Sequence, residues 1–496
     1  MLPNVPVQSS RYCLVFVGLA ILLPWLALLQ PVHPINHDVA WFYYVARGVM
    51  HGGTLYKDFI EPNAPLASMS LVPAVLLAGA FSITPDLAVE ILVLAVASVS
   101  MALSLAVLRR MLTSAAALLS ALLALTVAFI FLPNAGFGQR EHILAILLTP
   151  YVLGCIASCA GLRLPRALAC AIGVAAAIAV GLKPHFILVP AAVEAAVLFR
   201  TGIKATWRAQ PLALAAGLAV IVAVTLLFFP LYASEVVPWA VALYGGYNAP
   251  VQLLGYVFYA VYVGVALWFC WGAAGTPLAD AARLCLTMAA LGALGAYIAQ
   301  AKGAVYQILP CSFFLLLLNA GAIAVTGAWP GASPAERGRW ILARLLAAGF
   351  VLNLVTSPFR SVDLTQYAGV KQAIEAEPGP FVILSSNVEP GFPMALVWHR
   401  VWASRTPCLI MLPGLVKLEA QGKTSPWQPI FRGWISADMQ RYKPALVFLP
   451  PNGDQSLPPD FDVLPWLLRD PAFASIWAHY HQDGVRDGFR VFRLST

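Results

Sequence analysis

The chain has 496 residues, of which 60% are hydrophobic and 10% charged, against about 25% charged in an ordinary soluble domain. That composition excludes a soluble globule. The net charge of +8 comes from basic residues set largely between apolar runs, where positive charge orients membrane helices; with no Walker-type glycine loop and no basic-aromatic stripe, ATP-driven transport and nucleic-acid binding lose support.

Apolar runs of about 17–23 residues recur from Tyr12 to about Val355, long enough as helices to cross a hydrocarbon core of about 30 Å. The first follows Arg11 and lacks a small-x-small cleavage site, so it is expected to be a retained helix. Spans are predicted at about 12–30, 86–108, 112–132, 143–161, 166–182, 186–200, 210–230, 252–272, 284–300, 303–325 and 340–357. The stretch 66–82 is apolar enough to span, yet Pro73 and its short length suit an interfacial helix. Basic clusters stand at Arg109-Arg110, Arg163 with Arg166, Arg200 with Lys204 and Arg208, Arg283, and Arg337 with Arg339. Placing them in the cytoplasm gives eleven alternating crossings, an internal amino terminus and an external tail, provided that 66–82 does not cross.

After Pro358 charges, prolines and short apolar runs mix. The expected fold is therefore an α-helical polytopic membrane protein with a small C-terminal α/β domain: a membrane domain at 1–357, its first external loop at 31–65, and an extracytoplasmic domain at 358–496. In the tail a helix is predicted at 370–377 and strands at 380–386, 443–451 and 489–496, with Asn387, Glu389 and Pro390 in the loop after the first strand. Trp398-His399-Arg400 and Arg405 are candidates to touch an acceptor, with a solvated or packing role favoured. Seven of the eight cysteines lie in or beside apolar runs and only Cys408 in the tail, which excludes a disulfide within the tail. The acid-poor, Ala-rich style points to a bacterial inner membrane.

This orientation gathers unusual groups in the external hairpins: His37-Asp38, Lys57-Asp58 with Glu61, Gly138-Gln139-Arg140-Glu141-His142, Lys183-Pro184-His185, Ser234-Glu235, and Gln300 with Lys302. Ionisable residues at membrane depth cost several kcal/mol unless paired or solvated, so their collection on one face predicts a wet, functional cleft. The inner half reads as nearly pure Ala, Leu and Val.

The most specific stretch is residues 34–66. An apolar-aromatic pattern at helical spacing, Ala40, Trp41, Phe42, Tyr44, Val45 and Val49, follows Asp38 and predicts an amphipathic helix on the bilayer surface, capped by Asn36 or Asp38. Gly52-Gly53 ends it, and Leu55-Tyr56-Lys57-Asp58 is expected to run extended towards Pro62 and Pro65. Here the sequence resembles the glycosyltransferase C superfamily, notably its polyprenyl-phosphate-dependent protein mannosyltransferase and aminoarabinose transferase branch. Asp38, Gly52, Gly53, Leu55, Tyr56, Asp58, Pro65 and Leu66 carry the resemblance. Only one carboxylate stands where many relatives have two, because His37 precedes Asp38 and Val39 follows. Arg140-Glu141-His142 is similar to the family's Arg-x-Asp element, and Gln300-Ala301-Lys302-Gly303 with Tyr306 and Pro310 to a later Gln-x-Lys stretch, in which Gln307 replaces a common histidine.

The resemblance implies transfer of a sugar from a polyprenyl-phosphate donor to a glycan, lipid or protein acceptor, with inversion. Such a reaction needs a base for the acceptor hydroxyl, and Asp38 is the first candidate, followed by Glu141 and Asp58. It needs cations for the departing phosphate, for which Arg140 and Lys302 rank ahead of Lys57 and Lys183, each able to be a snorkelling helix-end residue instead. It also needs a sugar pocket. His37, Tyr44, Tyr56, Glu61, His142, His185, Gln300 and Tyr306 form the expected substrate-binding set, with Trp41, Tyr244, Tyr247 and Asn248 as weaker aromatic and polar candidates.

No cofactor is expected: His33, His37, Asp38 and His51 are close in sequence, but no zinc-type spacing appears and the branch generally works without metal. A lipid-linked sugar transporter and a non-catalytic polyprenyl-lipid-binding protein are the rival readings. The transporter would show polar residues in both halves of the membrane, and the scaffold would need no base.

Overall fold

Apolar runs of this length become helices because hydrocarbon offers no partner for backbone N–H and C=O groups, which each segment must satisfy internally. The computed structural model describes residues 10–29, 34–271, 275–325, 333–356, 364–454 and 456–495. A helix lies at each of the eleven predicted span positions. Among the described residues seven helices are long and apolar enough to cross a membrane: Pro85–Met111, Arg140–Cys159, Pro184–Thr201, Ala209–Phe228, Pro250–Trp271, Pro277–Gln300 and Val305–Ala324. Val15–Leu28, Leu66–Phe81, Ala115–Phe131 and Arg166–Leu182 are shorter apolar helices. Within 66–82 the helix breaks into Leu66–Met69 and Val72–Phe81 and stops on Ser82, whose φ is 53°.

The residues fall into two units. One comprises Met1–Val32, Glu90–Ala223 and Ala249–Arg360; the other comprises His33–Val89, Val224–Asn248 and Ser361–Thr496. The unit that contains the tail therefore also takes in the first loop and 224–248.

In the first unit the helix Arg140–Cys159 packs on Arg166–Leu182, Leu188–Thr201, Pro277–Gln300 and Val305–Val325, and 18 of its residues, Arg140 to Ala157, are buried. Close approach depends on small residues. A Cβ on Gly292 would stand 2.5 Å from the Leu188 carbonyl oxygen, so only glycine lets those two backbones touch. The helices Ala209–Phe228 and Pro250–Trp271 instead expose Phe228, Phe258 and Tyr262, as lipid-facing helices do.

The second unit carries a four-stranded sheet of β1 (Phe381–Ile383), β2 (Leu446–Leu449), β3 (Tyr480–Arg486) and β4 (Phe489–Leu494), in the order β1-β2-β4-β3. β1 runs parallel to β2 and the other pairs are antiparallel. The three expected strands are present, each shorter than predicted, and the predicted helix occupies Ala368–Ala376. β3 is an addition to the expected set. Its sequence is polar, but Asp487-Gly488, with φ of 50° and 83°, is the turn that closes a tight hairpin. Arg405 grips the nearly buried Asp438 through Nε and Nη2, at 3.0 and 2.8 Å from Oδ1, which gives it a packing role and not an acceptor contact.

Candidate active site

In the second unit Asn36 opens the helix His37–Met50 by accepting a hydrogen bond from the Asp38 N–H at 3.0 Å. Asn36 is thus the cap, and the Asp38 carboxylate is not used as one. It lies 3.7 Å from His37 Nε2, while His37 Nδ1 lies 3.6 Å from Glu389 Oε2. The three side chains are 20, 25 and 21% exposed, shielded yet reachable. Burial pulls the His37 pKa down, but the charges of Asp38 and Glu389 and the bond to Glu389 outweigh it and raise it overall, so the two carboxylates favour the protonated form of the ring.

The helix is held from two sides. Trp41 Nε1 donates to Glu61 Oε2 at 2.6 Å. Trp41 and Tyr44 meet the ring of Phe392 at 5.2 and 5.4 Å, and that of Phe59 at 6.5 and 6.2 Å. The segment expected to lie on the bilayer surface is consequently buried at Val39–Tyr43, Val45 and Ala46, because its aromatic face finds protein partners.

At one end of the first unit a second group forms. Glu141 is wholly buried and ion-paired to Lys183, and the Lys183 ammonium stands 5.6 Å from the Tyr306 ring centre. Lys183, Lys302 and Arg140 all lie within Coulombic reach of His185. The helices Arg140–Cys159 and Val305–Val325 start here, and their positive ends reinforce the field. Three cationic side chains gathered at one end are the kind of donor set that a phosphate group takes.

No known protein family and no curated protein matches the sequence. Solved structures do. ArnT from Cupriavidus metallidurans, solved bound to undecaprenyl phosphate, aligns over 98% of each chain with a TM-score of 0.54 at 12% identity. The chain has the ArnT fold. The arabinofuranosyltransferase AftD from mycobacteria, at 12% identity, aligns with 99% of this chain and 40% of its own, and its TM-score of 0.45 adds nothing to the assignment. The fold that the first loop's resemblance implied is therefore present.

Several expected site residues have their polar atoms engaged within the protein. His142 is wholly buried, its Nδ1 accepting the Gly138 N–H at 3.0 Å and its Nε2 donating to the Phe129 carbonyl at 2.6 Å. One neutral tautomer satisfies both bonds, so both ring nitrogens are used within the protein. The Tyr56 hydroxyl donates to the Asn63 carbonyl at 2.7 Å, and Glu61 accepts from Trp41 and from the Asn63 backbone and side chain. Residues 55–58 form a turn, not the expected extended run: Tyr56 has a φ of 69°, and the Asp58 carboxylate accepts the Thr54 N–H at 2.9 Å. Asp58 also faces Arg441 at 3.6 Å, which makes it a loop clamp, and Lys57 points into solvent. Gln300 Nε2 donates to Ala296, and the Tyr247 hydroxyl to the Ser386 carbonyl at 3.0 Å. Among the described residues no group of three His, Cys, Asp or Glu is placed to hold a metal; His33 lies outside them.

The opposite end of the same helices overturns the expectation of an apolar inner half. Tyr151 donates to Glu194 Oε1 at 2.8 Å, Arg208 donates to Glu194 Oε2 and to Ser158 Oγ at 2.5 Å each, and Gln210 Nε2 reaches the Tyr151 carbonyl at 2.9 Å. The signal was legible: a lone glutamate in the apolar run LVPAAVEAAVLF needs a partner. Glu389, present in the predicted tail loop, was likewise given no role, because nothing in the sequence joins it to His37.

Proposed function

We propose that the chain is an integral-membrane glycosyltransferase that moves a sugar from a polyprenyl-phosphate donor to an extracytoplasmic glycan, lipid or protein acceptor with inversion. The observation that carries this reading is the convergence of Arg140, Lys183 and Lys302 around His185, on a fold whose solved counterpart holds undecaprenyl phosphate. Asp38 is the base: its carboxylate takes the acceptor hydroxyl's proton as the oxygen bonds to the sugar's anomeric carbon. The bond from that carbon to the phosphate oxygen breaks, and Arg140, Lys302 and Lys183 stabilise the charge that the phosphate gains. Glu141 serves as the counter-ion that keeps Lys183 charged in its buried position, a role that fits its complete burial better than proton abstraction. The setting is a bacterial inner membrane, with the tail on the extracytoplasmic side.

The partly buried Glu194–Arg208 network supports a second reading, a lipid-linked sugar transporter, because it places polar groups where a transporter needs them. Purified protein in detergent, given a panel of polyprenyl-phosphate sugars and a membrane extract, separates the two. The transferase releases free polyprenyl phosphate and labels an acceptor. Failure with every donor, together with donor movement across proteoliposomes, overturns the transferase reading.

A further inference from the structure

The Glu194–Arg208 end of the first unit opens into a cavity of about 480 Å³. It is bounded by the end of the helix Arg140–Cys159, the turn at 161–164, the start of the helix Arg166–Leu182 and the segment 201–210. Its charged lining consists of Arg163, Arg166 and Arg208, with no Asp or Glu among the lining residues. Glu194 neutralises Arg208, whose Nε also donates to the Ala205 carbonyl at 2.9 Å and whose Nη1 donates to Ser158; this fixes the guanidinium at the cavity wall. Among the described residues Arg163 and Arg166 form no ion pair with any carboxylate. The Ser158 and Thr201 hydroxyls and the Gln210 amide in the wall donate within the protein, to Gly154, Val197 and Tyr151, which leaves the arginines as the ligand-facing groups.

The surroundings select the kind of anion. Ile203 and Trp207, in the segment that borders the cavity, and Phe199, just before it, are 74, 77 and 86% exposed. Large apolar side chains so fully uncovered belong in acyl chains, and a tryptophan beside arginines marks the headgroup level of a bilayer. We propose that this cavity binds the phosphate ester headgroup of an anionic membrane lipid, with Arg163 and Arg166 on the phosphate and Phe199, Ile203 and Trp207 along the lipid's chains. The site is distinct from the Arg140 end and does not depend on the transferase reading.

The test uses the full chain in mixed micelles of detergent with phosphatidylglycerol or phosphatidylcholine, and inorganic phosphate in lipid-free detergent as a third arm. Native mass spectrometry counts retained lipid. Phosphatidylglycerol is retained in preference to phosphatidylcholine, and R163Q/R166Q weakens that retention by about ten- to thirtyfold. Should the double variant melt earlier in phosphatidylcholine, R163K/R166K keeps both charges and restores retention. Equal phosphatidylglycerol retention by native protein and R163Q/R166Q overturns the site, as does failure of the lysine pair to restore it. Saturation by millimolar inorganic phosphate, with loss of bound lipid, overturns the lipid assignment.

Discussion

The two ends of the membrane unit solve the same problem differently. At the Arg140 end one buried carboxylate, Glu141, faces Lys183, with Arg140 and Lys302 close to the same His185. At the Arg208 end Glu194 accepts from both Tyr151 and Arg208, and Gln210 ties the neighbouring backbone down. The first arrangement leaves an electropositive surface beside two helix starts. The second closes on itself and leaves its uncompensated arginines at a cavity rim. A carboxylate within an apolar bundle is thus no functional marker alone; the number and kind of charged side chains gathered around it is what distinguishes the two ends.

The sharpest way to break this contrast is Glu141→Gln, which strands the Lys183 ammonium without a buried counter-ion and is expected to cost about 3–5 kcal/mol of stability. Thermal unfolding in detergent checks it, and adding Lys183→Met should recover most of the loss. Failure of Lys183→Met to recover stability would contradict the counter-ion role of Glu141. Next, Arg140→Gln should lower turnover about 10²–10³-fold while the melting temperature holds, as removal of one electrostatic stabiliser does. Glu194→Gln should do the reverse, costing about 1–3 kcal/mol of stability through its hydrogen bonds to Arg208 and Tyr151 while turnover per folded molecule stays within a few-fold.

The smallest effect concerns pH. The pKa of His37 is raised in the folded chain, so the stability supplied by its cation is complete below the ordinary histidine value and is lost as pH rises through the folded one. The second unit should lose about 1 kcal/mol or less across that window, and His37→Gln should flatten the profile.

Helix positions were legible because length and hydropathy determine them: each predicted span carries a helix. The ends were legible for the same reason, since Arg140, Lys183 and Lys302 interrupt apolar sequence. Pairing was not. His142 looked like a ligand until its two ring bonds, to Gly138 and Phe129, showed it fixing the turn before its own helix. Tyr56 and Glu61 matched a motif, yet their polar atoms are used within the loop. Glu389 reaches His37 only through the tertiary fold, and β3 was hidden by a polar sequence whose single clue was the Asp487-Gly488 turn.

The central claim divides labour between a base at Asp38 and a phosphate cradle at Arg140 and Lys302. Donor binding and single-turnover release of polyprenyl phosphate, measured side by side on native protein, Asp38→Asn and Arg140→Gln/Lys302→Gln, test it most directly. The account predicts that Asp38→Asn binds donor as the native chain does but releases phosphate about 10²–10⁴-fold more slowly, whereas the double variant loses donor binding itself. Release from Asp38→Asn at the native rate, or undiminished donor binding by the double variant, would contradict it.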